Sequence, residues 1–289
     1  MTSIAQPSTE ANTQTAPPGN ISSSLKVWRR RLLIGIVVAY AALLILAPLV
    51  ALVSGAFSKG IGASLAALND PAVFSAFLRT LYIAFIVVTV HALFGTALAW
   101  VLVRYRFRGH WLLNGVIDLP FAVSPVVVGY MLLLLFGRTG LFAPVLEALN
   151  LKIAFAMPGM ILATLFVTLP FMAREVMPVL EAFGVEQEQA SKTLGANGWQ
   201  TFWMVTFPAL RWGFIYGIIL TFARALGEFG AVLVIGGGIQ GRTETATLFI
   251  YRALDERQYV GAYSAAVILG LLSLILVIGT ELLRRKERG

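Results

Sequence analysis

The sequence predicts an all-α protein that crosses a membrane about six times, and three observations carry that prediction. Of its 289 residues, 58% are hydrophobic and only 12% charged, a balance that suits a bilayer better than a water-soluble core. The apolar residues gather into six runs, each close to the roughly 20 residues of helix that a hydrocarbon layer about 30 Å thick requires. None of these runs alternates with the two-residue period of a barrel strand, so each must satisfy its backbone polar groups internally, as a helix.

Residues 1–25 are rich in Ser, Thr, Pro, Gln and Ala and have no apolar periodicity, so they read as a disordered cytoplasmic tail. The first span is placed at 32–53. It exceeds the roughly 7 to 15 apolar residues of a secretory leader, which favours an uncleaved span over a signal peptide. The remaining spans are placed at 81–103, 112–136, 154–172, 212–236 and 262–283. The first connection, 54–80, and the fifth, 237–261, are long enough for short helices, and Leu248, Phe249, Ala253 and Leu254 recur at helical spacing in the latter. That helix is read equally as a lid over helix ends and as a docking surface.

In the third span, Asp118 and Pro120 precede Ser124 and Pro125, which predicts a kink or an interruption. A flexible hinge and a static bend both fit. In the fifth span, Gly213 and Gly217 form a GxxxG pair that suits close helix packing, as does the stripe of Ala262, Ala266 and Gly270 in the sixth. The triple glycine at 236–238 reads as a turn. Asp118, Arg224 and Glu228 are charges within spans, where insertion of each costs at least about 2.5 kcal/mol at the bilayer centre. Arg224 and Glu228 are four apart and suit an ion pair. Such a pair is structural on one reading; on the other, Arg224 stands beside a translocation path and attracts an anion.

The fourth connection, 173–211, carries the most local structure. Glu186 to Leu194 favour a helix, with acids at its start and Lys192 near its end, and Gly195 is placed to stop it in a left-handed conformation. Asn197 and Gln200 have capping-box spacing for a second helix, whose Trp199, Phe202 and Trp203 share a face. Two tryptophans there predict a surface packed partly on the bundle and partly on a protein partner.

The formal charge is +8, but the basic residues sit beside span ends and do not form a nucleic-acid patch. Fourteen Lys and Arg fall on the side of the termini and seven on the other, which predicts cytoplasmic termini. There is no cysteine and no Gly-Lys pair of a P-loop, and neither His91 nor His110 has the spacing of a helix metal site. No catalytic residues and no cofactor or metal bound by this chain are therefore expected.

Residues 188–195, EQASKTLG, followed by VTFP at 205–208, resemble the EAA loop of ABC importer permeases. In that pattern Glu-Ala-Ala, three residues, Gly and nine residues precede Ile-x-Leu-Pro; here Gln189, Ala190 and Ser191 take the first positions and the acid is displaced to Glu188. Further stretches, IDLPFAVSPVVVG at 117–129, ATLFVTLPF at 163–171 and RALGEFGA at 224–231, resemble the CysW-type sulfate/thiosulfate permeases.

The resemblance implies an ABC type-1, MetI-like permease fold over 26–289, with a core at about 79–283 and a coupling loop at about 185–208. It implies ATPase contact by Glu188, Gln189, Ala190, Ser191, Leu194, Gly195, Trp199 and Pro208. The translocation path or gate is expected among Asp118, Pro120, Ser124, Pro125, Arg224 and Glu228. Implied partners are a CysT-type permease in a heterodimer, a CysA-type ATPase that holds ATP and Mg, and a periplasmic sulfate/thiosulfate-binding protein, with membrane lipid around the bundle and no nucleic acid. A molybdate or tungstate permease is the alternative of the same class. An ion-coupled secondary transporter is the alternative of another class, although no internal repeat supports it.

Overall fold

The computed structural model describes residues 21–288. Of the expected tail, residues 1–20 lie outside the described residues, whereas 21–25 already belong to the first helix, α1 (Ile21–Ala56), which contains Pro48. Residues 52–289 group as a unit separate from 1–51 and are described on their own below.

In that unit the helices are α2 (Ile61–Leu68), α3 (Pro71–Arg104), α4 (His110–Ala122), α5 (Pro125–Phe136), α6 (Ala143–Ala148) and α7 (Met157–Phe183). They continue with α8 (Glu186–Thr193), α9 (Gly198–Leu226), α10 (Gly230–Gly236), α11 (Ala246–Asp255) and α12 (Tyr259–Arg288). Among the described residues α1, α3, α7, α9 and α12 are long and apolar enough to cross a membrane, and α4 with α5 makes a sixth if that bent pair is one span.

The third span is thus interrupted, as Pro120 and Pro125 suggested, with a bend of 113°. Its cause differs in detail from the expectation. Pro125 does not disturb a preceding turn; it occupies the first turn of α5, where its missing N–H costs nothing, and Val123 is extended. The fifth expected span also divides. A continuous helix ends at Leu226 and a second begins at Gly230, so the apolar run 212–236 concealed a break at Gly227.

Three helices outrun their hydropathy. Helix α3 begins at Pro71 because Asp70 caps it, its carboxylate accepting the Ala72 N–H at 2.8 Å. Helix α7 carries Arg174 and Glu181 before Gly184 ends it, so Arg174 belongs to a long helix and not to the fourth connection. The second short helix expected there is the first turn of α9.

Glycines set the closest approaches. A Cβ on Gly213 would lie 2.7 Å from Val179 Cγ2, and one on Gly217 2.5 Å from Met172 Sδ, so the GxxxG pair does bring α9 onto α7. Gly129 of α5 faces the Ala231 carbonyl and Val234 of α10, and Gly230 faces Val126 and Pro125, which packs the two segments beyond the breaks together. On α12 the buried stripe is Ala262 and Ala265, packed on Val73, Ala76 and Phe249, followed by Leu269 in the cluster of Ile83, Ala84 and Val87; Gly270 of the expected stripe faces open space. The inward face of α11 is Leu248, Phe249 and Ala253, as the spacing indicated, while Leu254 is exposed. At the 236–238 turn, Gly237 and Gly238 adopt φ of 72° and 57°.

Two π turns widen long helices, at His91–Gly95 in α3 and Phe202–Thr206 in α9. In the first, His91 Nε2 lies 3.1 Å from the Leu165 carbonyl and 3.0 Å from the Thr168 hydroxyl, which ties α3 to α7.

Candidate functional site

Local sequence builds the segment after α7. Helix α8 opens on Glu186 and Glu188 and closes on Lys192, matching the helix dipole. It ends at Gly195, whose φ is 91°; the Gly195 N–H donates to Lys192 O at 3.0 Å and the Ala196 N–H to Ser191 O at 3.1 Å. The next helix starts with both capping-box bonds formed at 2.9 Å: the Gln200 N–H to Asn197 Oδ1, and the Asn197 N–H to Gln200 Oε1.

Long-range contacts brace this segment onto the bundle. Glu188 is buried, and its Oε1 accepts from Arg104 Nη2 and from the Thr206 hydroxyl, each at 3.0 Å. Arg104 also donates to the Leu180 carbonyl at 3.3 Å. The Ser191 hydroxyl donates to Glu188 O and meets the Thr201 hydroxyl, both at 2.9 Å. Phe202 stacks on Trp100 of α3, with ring centroids 4.9 Å apart.

The Glu188 carboxylate thus points into the bundle, and its displacement from the usual motif position accompanies that inward orientation. Ser191 is half-buried and bonded within the chain. Gln189, Ala190, Gly195 and Pro208 are exposed, and Leu194 and Trp199 are 89% and 72% exposed. The segment is thus braced on the bundle while presenting an exposed leucine and an exposed indole.

The charges within spans form two pairs. Asp118 of α4 accepts from Arg174 of α7 through both oxygens, with Nε to Oδ1 at 2.9 Å; Arg174 Nη2 also reaches the Asn114 carbonyl at 3.3 Å. The Asp118 side chain remains 49% exposed and that of Arg174 32%. Pro120 is buried in the next turn and Ser124 is exposed at the break.

Arg224 and Glu228 pair at 2.9 Å, as their spacing predicted, but across the end of α9. Glu228 Oε1 accepts the Ala231 N–H of α10 at 3.1 Å, and its carbonyl accepts the Thr247 hydroxyl at 2.7 Å. The buried Glu228 thus ties α9 to α10 and α11, and the Arg224 side chain remains 30% exposed. Chemically, Arg174 and Arg224 are two partly exposed arginines, each paired with a carboxylate on or next to an interrupted helix.

Arg104, Arg174 and Thr206 were missed as site residues. Their partners lie 84, 56 and 18 residues away, and no local pattern signals such pairing. The same holds for a network in which Arg79 donates to the Glu244 carbonyl at 3.1 Å and Arg252 Nε to the buried Glu244 carboxylate at 2.6 Å. The Glu244 carboxylate, reinforced by Glu256, holds the Arg252 guanidinium above its ordinary pKa.

Residues 91–289 match the family described as binding-protein-dependent transport system inner membrane component. The chain is 48% identical over 254 residues to the sulfate transport system permease protein CysW of Synechococcus elongatus, covering 88% of this chain and 89% of that one. It is 36% identical over 253 residues to the sulfate transport system permease protein CysT of Escherichia coli strain K12, with 88% and 91% covered. Among solved structures, a bacterial ABC transporter involved in the import of the acidic polysaccharide alginate superposes with a TM-score of 0.76 at 15% identity, over 92% of this chain and 99% of that one. That likeness concerns the fold alone.

Proposed function

The chain belongs to the family of binding-protein-dependent transport system inner membrane components, and from that premise we propose that it is the permease subunit of an ATP-driven ABC importer for sulfate or thiosulfate. The observation that carries the coupling part of this reading is the pairing of a rigid brace with an exposed apolar tip at Leu194 and Trp199. An ATPase subunit that binds ATP and Mg docks there on the cytoplasmic side, and both termini lie on that side of the inner membrane. With Arg174 moved into α7, thirteen Lys and Arg against seven still support this orientation. Of the expected contacts, Gln189, Ala190, Leu194, Gly195, Trp199 and Pro208 take part directly, whereas Glu188 and Ser191 hold the segment in place.

The anion passes the breaks between α4 and α5 and between α9 and α10. There Arg174 and Arg224 offset the cost of bringing a dianion into a low dielectric, while Asp118 and Glu228 keep the guanidinium groups oriented when the path is empty. A permease of the CysT type forms the second half of the path, a reading supported by the likeness of this chain to both permease types. A periplasmic binding protein delivers the anion and contributes most of the selectivity.

The test is ATP-dependent uptake of radiolabelled sulfate in cells with and without this chain, with excess unlabelled thiosulfate or molybdate as competitor. Loss of uptake on deletion and recovery with the wild-type copy is the expected result. Unchanged uptake in cells lacking other sulfate importers removes the substrate; competition by molybdate alone moves the assignment to the tetrahedral metal oxyanions.

A further inference from the structure

A cavity of about 590 Å³ opens where α3 turns into α4, lined by Leu102, Val103, Arg106, His110, Trp111 and Glu181. Its floor is fixed: Leu102 is buried, and His110 Nε2 lies 2.8 Å from the Leu102 carbonyl. A carbonyl only accepts, so Nε2 carries the hydrogen. Arg106 and Glu181 are both exposed, and neither belongs to any ion pair among the described residues. One cavity thus presents a cation and a carboxylate that do not neutralise each other.

The surroundings place this cavity at a membrane surface. Helix α3 is a 34-residue span that ends at Arg104, and α4 starts six residues later. Tyr105, Phe107 and Trp111 are exposed around the turn, Trp111 at 78%. Aromatic residues at span ends sit at the level of lipid headgroups. Val101, Leu112 and Val116 next to the turn are also exposed, giving acyl chains an apolar surface to follow.

We propose that this cavity seats the headgroup of an aminophospholipid, a phosphodiester carrying a primary ammonium. The phosphate meets the Arg106 guanidinium, whose fork of N–H donors matches its oxygens. The ammonium donates to the Glu181 carboxylate, with the Trp111 ring beside it. A headgroup bearing only negative charge brings a like charge towards Glu181, and a choline group has no N–H to donate. The proposal concerns the lipid around the protein and is independent of the ion transported.

The experiment is native mass spectrometry of the purified chain after addition of phosphatidylethanolamine, phosphatidylglycerol or phosphatidylcholine. Wild type is expected to retain phosphatidylethanolamine in preference to the other two. Glu181→Gln should abolish that preference, and Arg106→Gln should lower retention of all three by about tenfold. Both side chains are exposed, so an unchanged unfolding temperature accompanies each result. Soluble phosphoethanolamine at millimolar concentration should leave the bound lipid in place. Equal retention of the three lipids by wild type, an unchanged pattern in both variants, or displacement by the soluble headgroup each overturns the proposal.

Discussion

Two carboxylates, Glu188 beneath the exposed Leu194 and Trp199 and Asp118 beside the helix break, both pair with an arginine of another helix, yet their settings are opposite. The Arg104–Glu188 side chains are 8% and 10% exposed, and the Thr206 hydroxyl and the Leu180 carbonyl complete the cluster. Asp118 and Arg174 bond through two oxygens and remain largely open. The acid in the loop is thus a structural brace, and the acid in the span is the accessible one. An ionisable residue's place in the chain did not decide its role; what surrounds it did.

The largest expected effect tests the brace. Glu188→Ala leaves the Arg104 charge buried and unpaired, which should cost about 3–5 kcal/mol, seen as a lowered unfolding temperature in detergent. Arg104→Ala should match it. If both variants unfold like wild type, the contrast between the two pairs collapses.

Gly195→Asp should have an intermediate effect. A Cβ there meets open space, but φ of 91° disfavours a side chain by about 1 kcal/mol. The variant should insert normally and lose association with the ATPase, measured by copurification; normal transport by this variant counts against the coupling role.

Asp118→Asn should change stability by less than about 1 kcal/mol, because both side chains are only partly buried and the amide oxygen still accepts from Arg174. Sulfate uptake should nonetheless fall, since Arg174 loses its orienting carboxylate. A large stability loss with uptake retained per folded molecule would make Asp118 another brace.

Leu194→Ser should be the mildest for the fold, within about 0.5 kcal/mol, because the side chain touches mainly solvent. Copurification with the ATPase should still drop. Retained association would move the contact surface elsewhere.

Local devices were legible in the sequence, and distant pairings were not. The Gly195 stop and the Asn197–Gln200 box depend on residues within a few positions of one another, so they follow from spacing alone. The apolar runs revealed the spans because lipid imposes a length on them. Hydropathy missed the break at Gly227, since the residues on either side are equally apolar, and it missed the first turns of α3, where Ser75, Arg79 and Thr80 dilute the signal. Arg174 was read as a loop residue because its partner, Asp118, lies 56 positions away. Glu188 was expected to face outward for the same reason: nothing near it in the chain announces Arg104.

Helix α9 runs unbroken for 29 residues from the capping box to Leu226, two residues before Glu228. At 1.5 Å per residue it is a rod of about 43 Å, so a tilt of about 5° about a point near Gly213 and Gly217 moves the Trp199 end by about 2 Å and the Arg224 end by about 1 Å in the opposite sense. Its close seat on α7 at Gly213 and Gly217 supplies a fulcrum between the two ends. A load applied at the Trp199 end would therefore reach the Arg224 end along the same helix, with no chain of intermediate contacts to relay it.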